Sequence, residues 1–268
     1  MHLDKDRLTR FGEISIELGD DFVATVEWHR PPNNHFDVAM IRGVADALED
    51  LDANPRCRVV VLCAEGKHFC AGADLAGGRD LSDTTRGQGA EGHLYDEAVR
   101  LFSVKKPLVA AVQGAAIGGG LGLAMAADFR VASPDARFAA NFSLLGFHQG
   151  FALTVTLPAV IGQQRAWEML YTGRRVPADV ALTFGLCDRL ASVDSLRAEA
   201  HSFAAEIAVA APLAVRAIRA TMRHELSIRI REVTEQEKVE QERLALTDDF
   251  REGVKASAER RTPHFTES

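Results

Sequence analysis

From Pro107 to Ala127 the chain carries no charged side chain, and any fold it adopts must bury that stretch. The stretch is long enough to cross a bilayer. Five glycines, Gln113 and the leading Pro107 argue against that, because they break it into pieces that read as strand, turn and helix. The expectation is a protein core and no membrane partner. Upstream, Arg58 to Ala64 is a second apolar run of strand length, the pattern of a strand covered on both faces.

The rest of the composition can supply such an interior. Hydrophobic residues make up 47% and charged residues 26% of 268 residues, enough for one large domain, or one domain with a helical appendage. The net charge of -7 and the lack of any segment rich in Lys and Arg exclude a nucleic-acid partner. The first ten residues are polar, so no secretory signal is expected. Cys57, Cys63, Cys70 and Cys187 form no CxxC pair and read as buried reduced thiols, which points to the cytoplasm.

Along the chain, Glu13 to Leu18 and Phe22 to Trp28 read as a hairpin around Gly19-Asp20-Asp21. Asp37 is placed to cap a helix whose apolar positions Val38, Ile41, Val44, Ala45, Leu48 and Leu51 share one face. A helix is expected over 92–104, strands over 108–113, 129–132 and near Phe138, and a helix from the glycine turn to Ala127. After Gly150 the pattern is helical: 151–161, 163–171, 177–184, 195–209, 212–224, 228–246 and 248–260. The segment from Ser227 to Leu246 is densely charged and reads as a solvated helix with weak ion pairs.

Several common sites are excluded. The nine histidines come no closer than six residues apart, so HExxH is absent and no i,i+4 ligand pair exists. There is no GxSxG elbow and no GxxxxGK[ST] loop, and the glycines at 114, 118, 119, 120 and 122 cannot be phased into GxGxxG. What remains is two small-residue segments, each straight after a buried strand: Lys67-His68-Phe69-Cys70-Ala71-Gly72-Ala73-Asp74-Leu75, and Gln113-Gly114-Ala115-Ala116-Ile117-Gly118-Gly119-Gly120-Leu121-Gly122. Small residues let a ligand approach the backbone. A turn that opens a helix leaves N–H groups without acceptors. Two such turns can aim two donors at one oxygen, an oxyanion hole, each donor being worth roughly 3 kcal/mol in a transition state.

Phe69 to Leu75, then Lys105-Lys106-Pro107-Leu108-Val109-Ala110-Ala111-Val112-Gln113-Gly114, then Gly118 to Gly122, then Ala127-Asp128-Phe129-Arg130-Val131-Ala132, resembles the enoyl-CoA hydratase/isomerase (crotonase) superfamily in order and spacing. The likeness runs from about Phe22 through Thr247 to Gly253 and Pro263-His264-Phe265. The resemblance implies an α/β fold, a crotonase-type spiral of repeated ββα units with a C-terminal helical trimerisation region. Divided accordingly, residues 1–195 are the core with the acyl-CoA site and 196–268 the helical region. It implies a homotrimer or homohexamer and no cofactor beyond the CoA of the thioester substrate. It also implies that the N–H groups of Ala71 and Gly119 hold the thioester carbonyl, and that Arg30, Pro32, Ala71, Gly72, Ala73, Asp74 and Leu75 bind CoA. The shared chemistry is an acyl-CoA enolate.

The sequence departs from that pattern at the acid/base positions. The hydratases of the family carry one glutamate where this chain has Gly122 and a second where it has Phe142; some isomerases and dehalogenases carry an aspartate where it has Gly150. Hydration needs a base to activate water and an acid to protonate carbon, and these residues supply neither. Phe142, Phe147 and Phe151 suggest an apolar acyl pocket instead. Tyr95 and His148 are the substitute acid/base candidates, with His35 a further base and Gln149 a group that could position water. Asp96 and Glu97 are expected to face solvent. The leading expectation is a hydratase- or isomerase-like lyase with unusual acid/base residues. The alternatives are an aromatic acyl-CoA-processing or thioester hydrolase relative, and an acyl-CoA-binding protein without catalysis.

Overall fold

The computed structural model describes residues 9–75 and 93–268. Strands β1 (Thr9–Phe11), β2 (Ile14–Leu18) and β3 (Val23–Trp28) form an antiparallel meander, and the expected hairpin is its β2–β3 part. Helix α1 (Val38–Ala53) starts where expected, with the Asp37 carboxylate accepting the Met40 N–H at 2.9 Å. Next come β4 (Val59–Ala64), α2 (Leu94–Phe102), β5 (Leu108–Val112), β6 (Ala115–Ile117), α3 (Gly119–Ala126), β7 (Phe129–Ala132) and β8 (Arg137–Ala139). A 3-10 turn (Ser143–Leu145) leads to α4 (Leu153–Ile161), α5 (Gln163–Thr172), β9 (Val176–Pro177), α6 (Ala178–Phe184) and β10 (Arg189–Leu190). The chain closes with α7 (Leu196–Ala208), α8 (Pro212–Met222), α9 (His224–Leu244) and α10 (Asp248–Glu259).

Seven strands make the main sheet in the order β1-β2-β3-β4-β5-β7-β10, parallel from β3 onward. A smaller sheet, β6-β8-β9, lies beyond the strand ends. The long uncharged stretch therefore supplies β5 and α3, both buried throughout, and the half-buried β6 between them. Among the described residues no helix is long and apolar enough to cross a membrane.

Strand alternation explains why β4 is apolar throughout. Val60, Leu62 and Ala64 join the core under α1, α2 and α3. Val59, Val61 and Cys63 face the other way, against Leu196, Ala200, Ala204 and Ala208 of α7. Replacing one such buried leucine, Leu62, by alanine removes about 2–5 kcal/mol. This packing makes α7 a layer of the sheet, so a boundary at residue 195 divides the sheet from its own cover.

A second departure concerns α9. The expected solvated helix has a buried stripe, Ile230, Thr234, Glu237 and Gln241, which packs on α2 and α4. The spacing is helical, but three of the four side chains are polar, so hydrophobic periodicity does not reveal it.

Candidate active site

The two small-residue segments lie side by side. The Cys70 N–H donates to Ala115 O at 2.9 Å, and the Ile117 N–H donates to Cys70 O at 3.0 Å. Their approach excludes side chains: a Cβ on Gly120 would come within 2.8 Å of the Cys70 carbonyl carbon, and one on Gly72 (φ 90°) within 2.9 Å of Ile117 O. Trp28 Nε1 donates to Phe69 O at 2.8 Å and fixes the first segment to β3. Asn34, buried, donates to Glu65 O and His68 O at 2.8 and 2.6 Å and holds its other flank.

Between the segments opens a cavity of about 200 Å³. Ala71 to Leu75 line one side, Ile117, Gly118 and Gly119 a second, and Phe36, Leu94, Tyr95, Phe142, Phe147 and Phe151 an apolar wall. Helices α9 and α10 close it with Gln241, Val254 and Ser257.

The backbone donors decide what the rim can bind. Ala71 was expected to supply one of them, but its N–H is already donated to Asn33 O at 3.0 Å. Two residues on, the Ala73 N–H has no acceptor among the described residues. Gly119 is the first residue of α3, where an N–H has no acceptor within the helix, and it too has none among the described residues. Ala73 and Gly119 thus present two unbonded N–H groups, one from each small-residue segment, to the same cavity.

Other expected residues divide. Gly72, Asp74, Leu75, Tyr95 and His35 line the cavity; Arg30, Pro32 and His148 do not. The Arg30 guanidinium is engaged by Glu13 at 2.6 Å, Asp37 at 2.7 Å and His35 O at 3.0 Å, so its charge is spent within the protein. His148 Nδ1 bonds Gln149 O at 2.7 Å outside the cavity, which removes it as the acid/base candidate. Gln149 is turned to Thr154 Oγ1 at 3.1 Å and also lies outside. Glu97, expected in solvent, is mostly buried and bonds Arg42 and Arg100. His35 donates Nδ1–H to Gly72 O at 3.1 Å, which leaves Nε2 as its basic atom.

Tyr95 is buried, and its hydroxyl donates to Gln241 Oε1 at 2.6 Å. Burial, reinforced by the Glu237 charge, holds the phenol well above its ordinary range, so it stays protonated. The empty carboxylate positions are filled space. A Cβ on Gly150 would overlap the Tyr95 hydroxyl, and one on Gly122 would lie 2.8 Å from Phe151 Cγ. Phe151 and Ala152 both have positive φ, 59° and 60°, and the turn is held by Glu237. That carboxylate accepts from the Ala152 N–H at 2.8 Å, the Thr154 N–H at 3.1 Å and the Thr154 hydroxyl at 2.6 Å. Gln241 and Glu237 escape sequence reasoning, because only the packing of α9 brings them here. Among the described residues no group of three or more His, Cys, Asp or Glu side chains could hold a metal ion.

Fold and site together define an α/β protein with an apolar cavity rimmed by two glycine-rich strand exits. The sequence pattern of the enoyl-CoA hydratase/isomerase family matches residues 19–268. The carnitinyl-CoA dehydratase of Proteus mirabilis is 33% identical over 88% of this chain and 92% of its own length. The crotonyl-CoA hydratase of Syntrophomonas wolfei is 32% identical over 83% of this chain and 85% of its own. The crystal structure of an enoyl-CoA hydratase/isomerase from Pseudoalteromonas atlantica superposes with a TM-score of 0.85 at 29% identity, covering 95% of this chain and all of that one. The chain belongs to the enoyl-CoA hydratase/isomerase, or crotonase, superfamily of enzymes.

Proposed function

We propose that the cavity takes an acyl-CoA thioester and that the Ala73 and Gly119 N–H groups hold its carbonyl oxygen. An enolate carries its charge on that oxygen, and two fixed donors in an apolar site stabilise the charge as it grows. The observation that carries this reading is that these two N–H groups line one cavity and have no acceptor among the described residues. The reaction is hydratase- or isomerase-like, with His35 Nε2 as the base in place of the family's glutamates. The apolar side chains Val209, Leu213, Ile218 and Met222, exposed along α8 and the turn before it, favour self-association into a trimer or hexamer.

The test is vibrational. A thioester carbonyl polarised by two donors stretches at lower frequency. Difference infrared spectra of bound hexenoyl-CoA labelled with 13C at the carbonyl should show a marked downshift, accompanied by turnover. An unshifted band would refute the assignment of the two donors.

A second reading has one observation in its favour, the aromatic wall of Phe142, Phe147, Phe151 and Tyr95. It makes the protein an aromatic acyl-CoA-processing or thioester-hydrolysing enzyme. Release of CoA from benzoyl-CoA without loss of a double bond would select it.

A further inference from the structure

Gln241 is 5% exposed, lines the cavity, and is only half satisfied. Its Nε2 donates to His148 O at 2.8 Å, and its Oε1 accepts from the Tyr95 hydroxyl at 2.6 Å. The His148 carbonyl can only accept, which fixes the amide's orientation. A primary amide offers two N–H donors and two acceptor lone pairs. One of each is used, and no described residue takes the others. Tyr95 is not in the same position, because its hydroxyl donates to Gln241 and also has the Phe151 backbone as a partner. A buried amide with open valences costs stability unless something bonds it. Gln241 lines the cavity together with the apolar wall of Phe36, Leu94, Phe142, Phe147 and Phe151. Gly150 keeps the place clear, since a Cβ there would come within 2.6 Å of Gln241 Nε2.

We infer that Gln241 is a specificity-determining residue that binds an oxygen substituent on the acyl chain, so the preferred substrates are hydroxyacyl- or oxoacyl-CoA thioesters. A hydroxyl can use both open valences, accepting from the Nε2 N–H and donating to Oε1. An oxo group uses the N–H alone. A plain hydrocarbon chain leaves both unmet. The inference rests on the acyl-CoA reading of the cavity.

The experiment compares calorimetric affinities of hexanoyl-CoA with those of hydroxyhexanoyl- and oxohexanoyl-CoA esters whose oxygen is moved along the chain. One position should bind the wild-type protein about tenfold more tightly than hexanoyl-CoA, the worth of a single net hydrogen bond. Gln241→Leu should bind hexanoyl-CoA as before and lose that preference. Tyr95→Phe, which leaves the amide in place, should keep it. Equal wild-type affinity for every ester overturns the Gln241 assignment while leaving the acyl-CoA site intact. If no ester binds, the reading of the cavity itself falls, and the subsite with it. The wild-type comparison decides the matter even if Gln241→Leu does not fold.

Discussion

Phe151 occupies the space into which a side chain at Gly122 would project: a Cβ there would lie 2.8 Å from the Phe151 ring at both Cγ and Cδ1. The family resemblance read from the sequence places a hydratase glutamate at this position. Gly122 and Phe151 form one packing unit. Gly122→Glu should therefore restore no crotonyl-CoA hydration and should destabilise the fold by about 1–3 kcal/mol through overpacking. Hydration assays and denaturant titrations would check both halves. Phe151→Ala would not relieve the crowding, because alanine keeps the Phe151 Cβ that stands against position 122, and a single Gly122→Glu variant that hydrates freely would show that this packing is not the obstacle.

Deleting the Gly119 donor needs care. Proline suits the first position of a helix and costs no hydrogen bond there. A Cβ at 119, however, would come within 2.6 Å of the Phe36 ring. Gly119→Pro is best made in a Phe36→Ala background. Relative to Phe36→Ala alone, the double variant should lose about 100- to 1000-fold in kcat on enoyl-CoA, the usual cost of one oxyanion donor. Unchanged turnover would take Gly119 out of the mechanism.

Glu237 gives stability a pH dependence. Burial pushes its carboxyl up to about 7, against the opposing pull of the Thr154 hydroxyl and the Thr154 and Ala152 N–H groups. Between its ordinary value of 4.5 and 7 the folded protein keeps a proton that the unfolded chain has lost. Stability therefore falls as pH rises through that window and levels off above it, by on the order of 3 kcal/mol from this group. Urea melts from pH 4.5 to 8 should show the decline, and Glu237→Gln should flatten it. The Gln variant should also be less stable at low pH, because an amide nitrogen would face a backbone donor.

Asp128 ties α8 to the sheet. Its carboxylate accepts from Arg219 at 2.8 Å, Arg223 at 2.6 Å and the Leu108 N–H at 2.9 Å. Burial pulls the group upward, but Arg219 and Arg223 outweigh it and hold the carboxyl below its ordinary range. Asp128→Ala leaves two guanidinium groups facing each other without a counter-charge, and should cost about 3–5 kcal/mol in chemical denaturation.

The four cysteines are buried, and burial pushes Cys57 and Cys187 up to about 11 and Cys63 and Cys70 up to about 12. Native protein should react slowly with a disulfide reagent at neutral pH, and all four thiols should react in denaturant. Rapid labelling of the native protein would contradict their burial.

Much of the scaffold is legible in the sequence because local physics fixes it. Asp37 marks the start of α1, the unbroken apolar run of β4 signals two covered faces, and the glycines at 118 to 120 mark a turn into a helix. The same glycines locate the site. Which N–H faces the cavity is not legible, because Ala71 and Ala73 are both small residues in the same loop. The difference is that Asn33, from a distant loop, takes the Ala71 N–H.

The sequence alone determined the α/β architecture, the superfamily and the absence of the family's carboxylates at 122, 142 and 150, since each depends on residue type and spacing. Tertiary structure decided that His148 and Arg30 stay outside the cavity, that Phe151 and Tyr95 fill the space beside Gly122 and Gly150, that Gln241 lines the cavity and that Glu237 stands behind it. The reason is that a polar side chain on a charged helix has no pattern of its own; its burial and its partners exist only once α9 packs against α2 and α4.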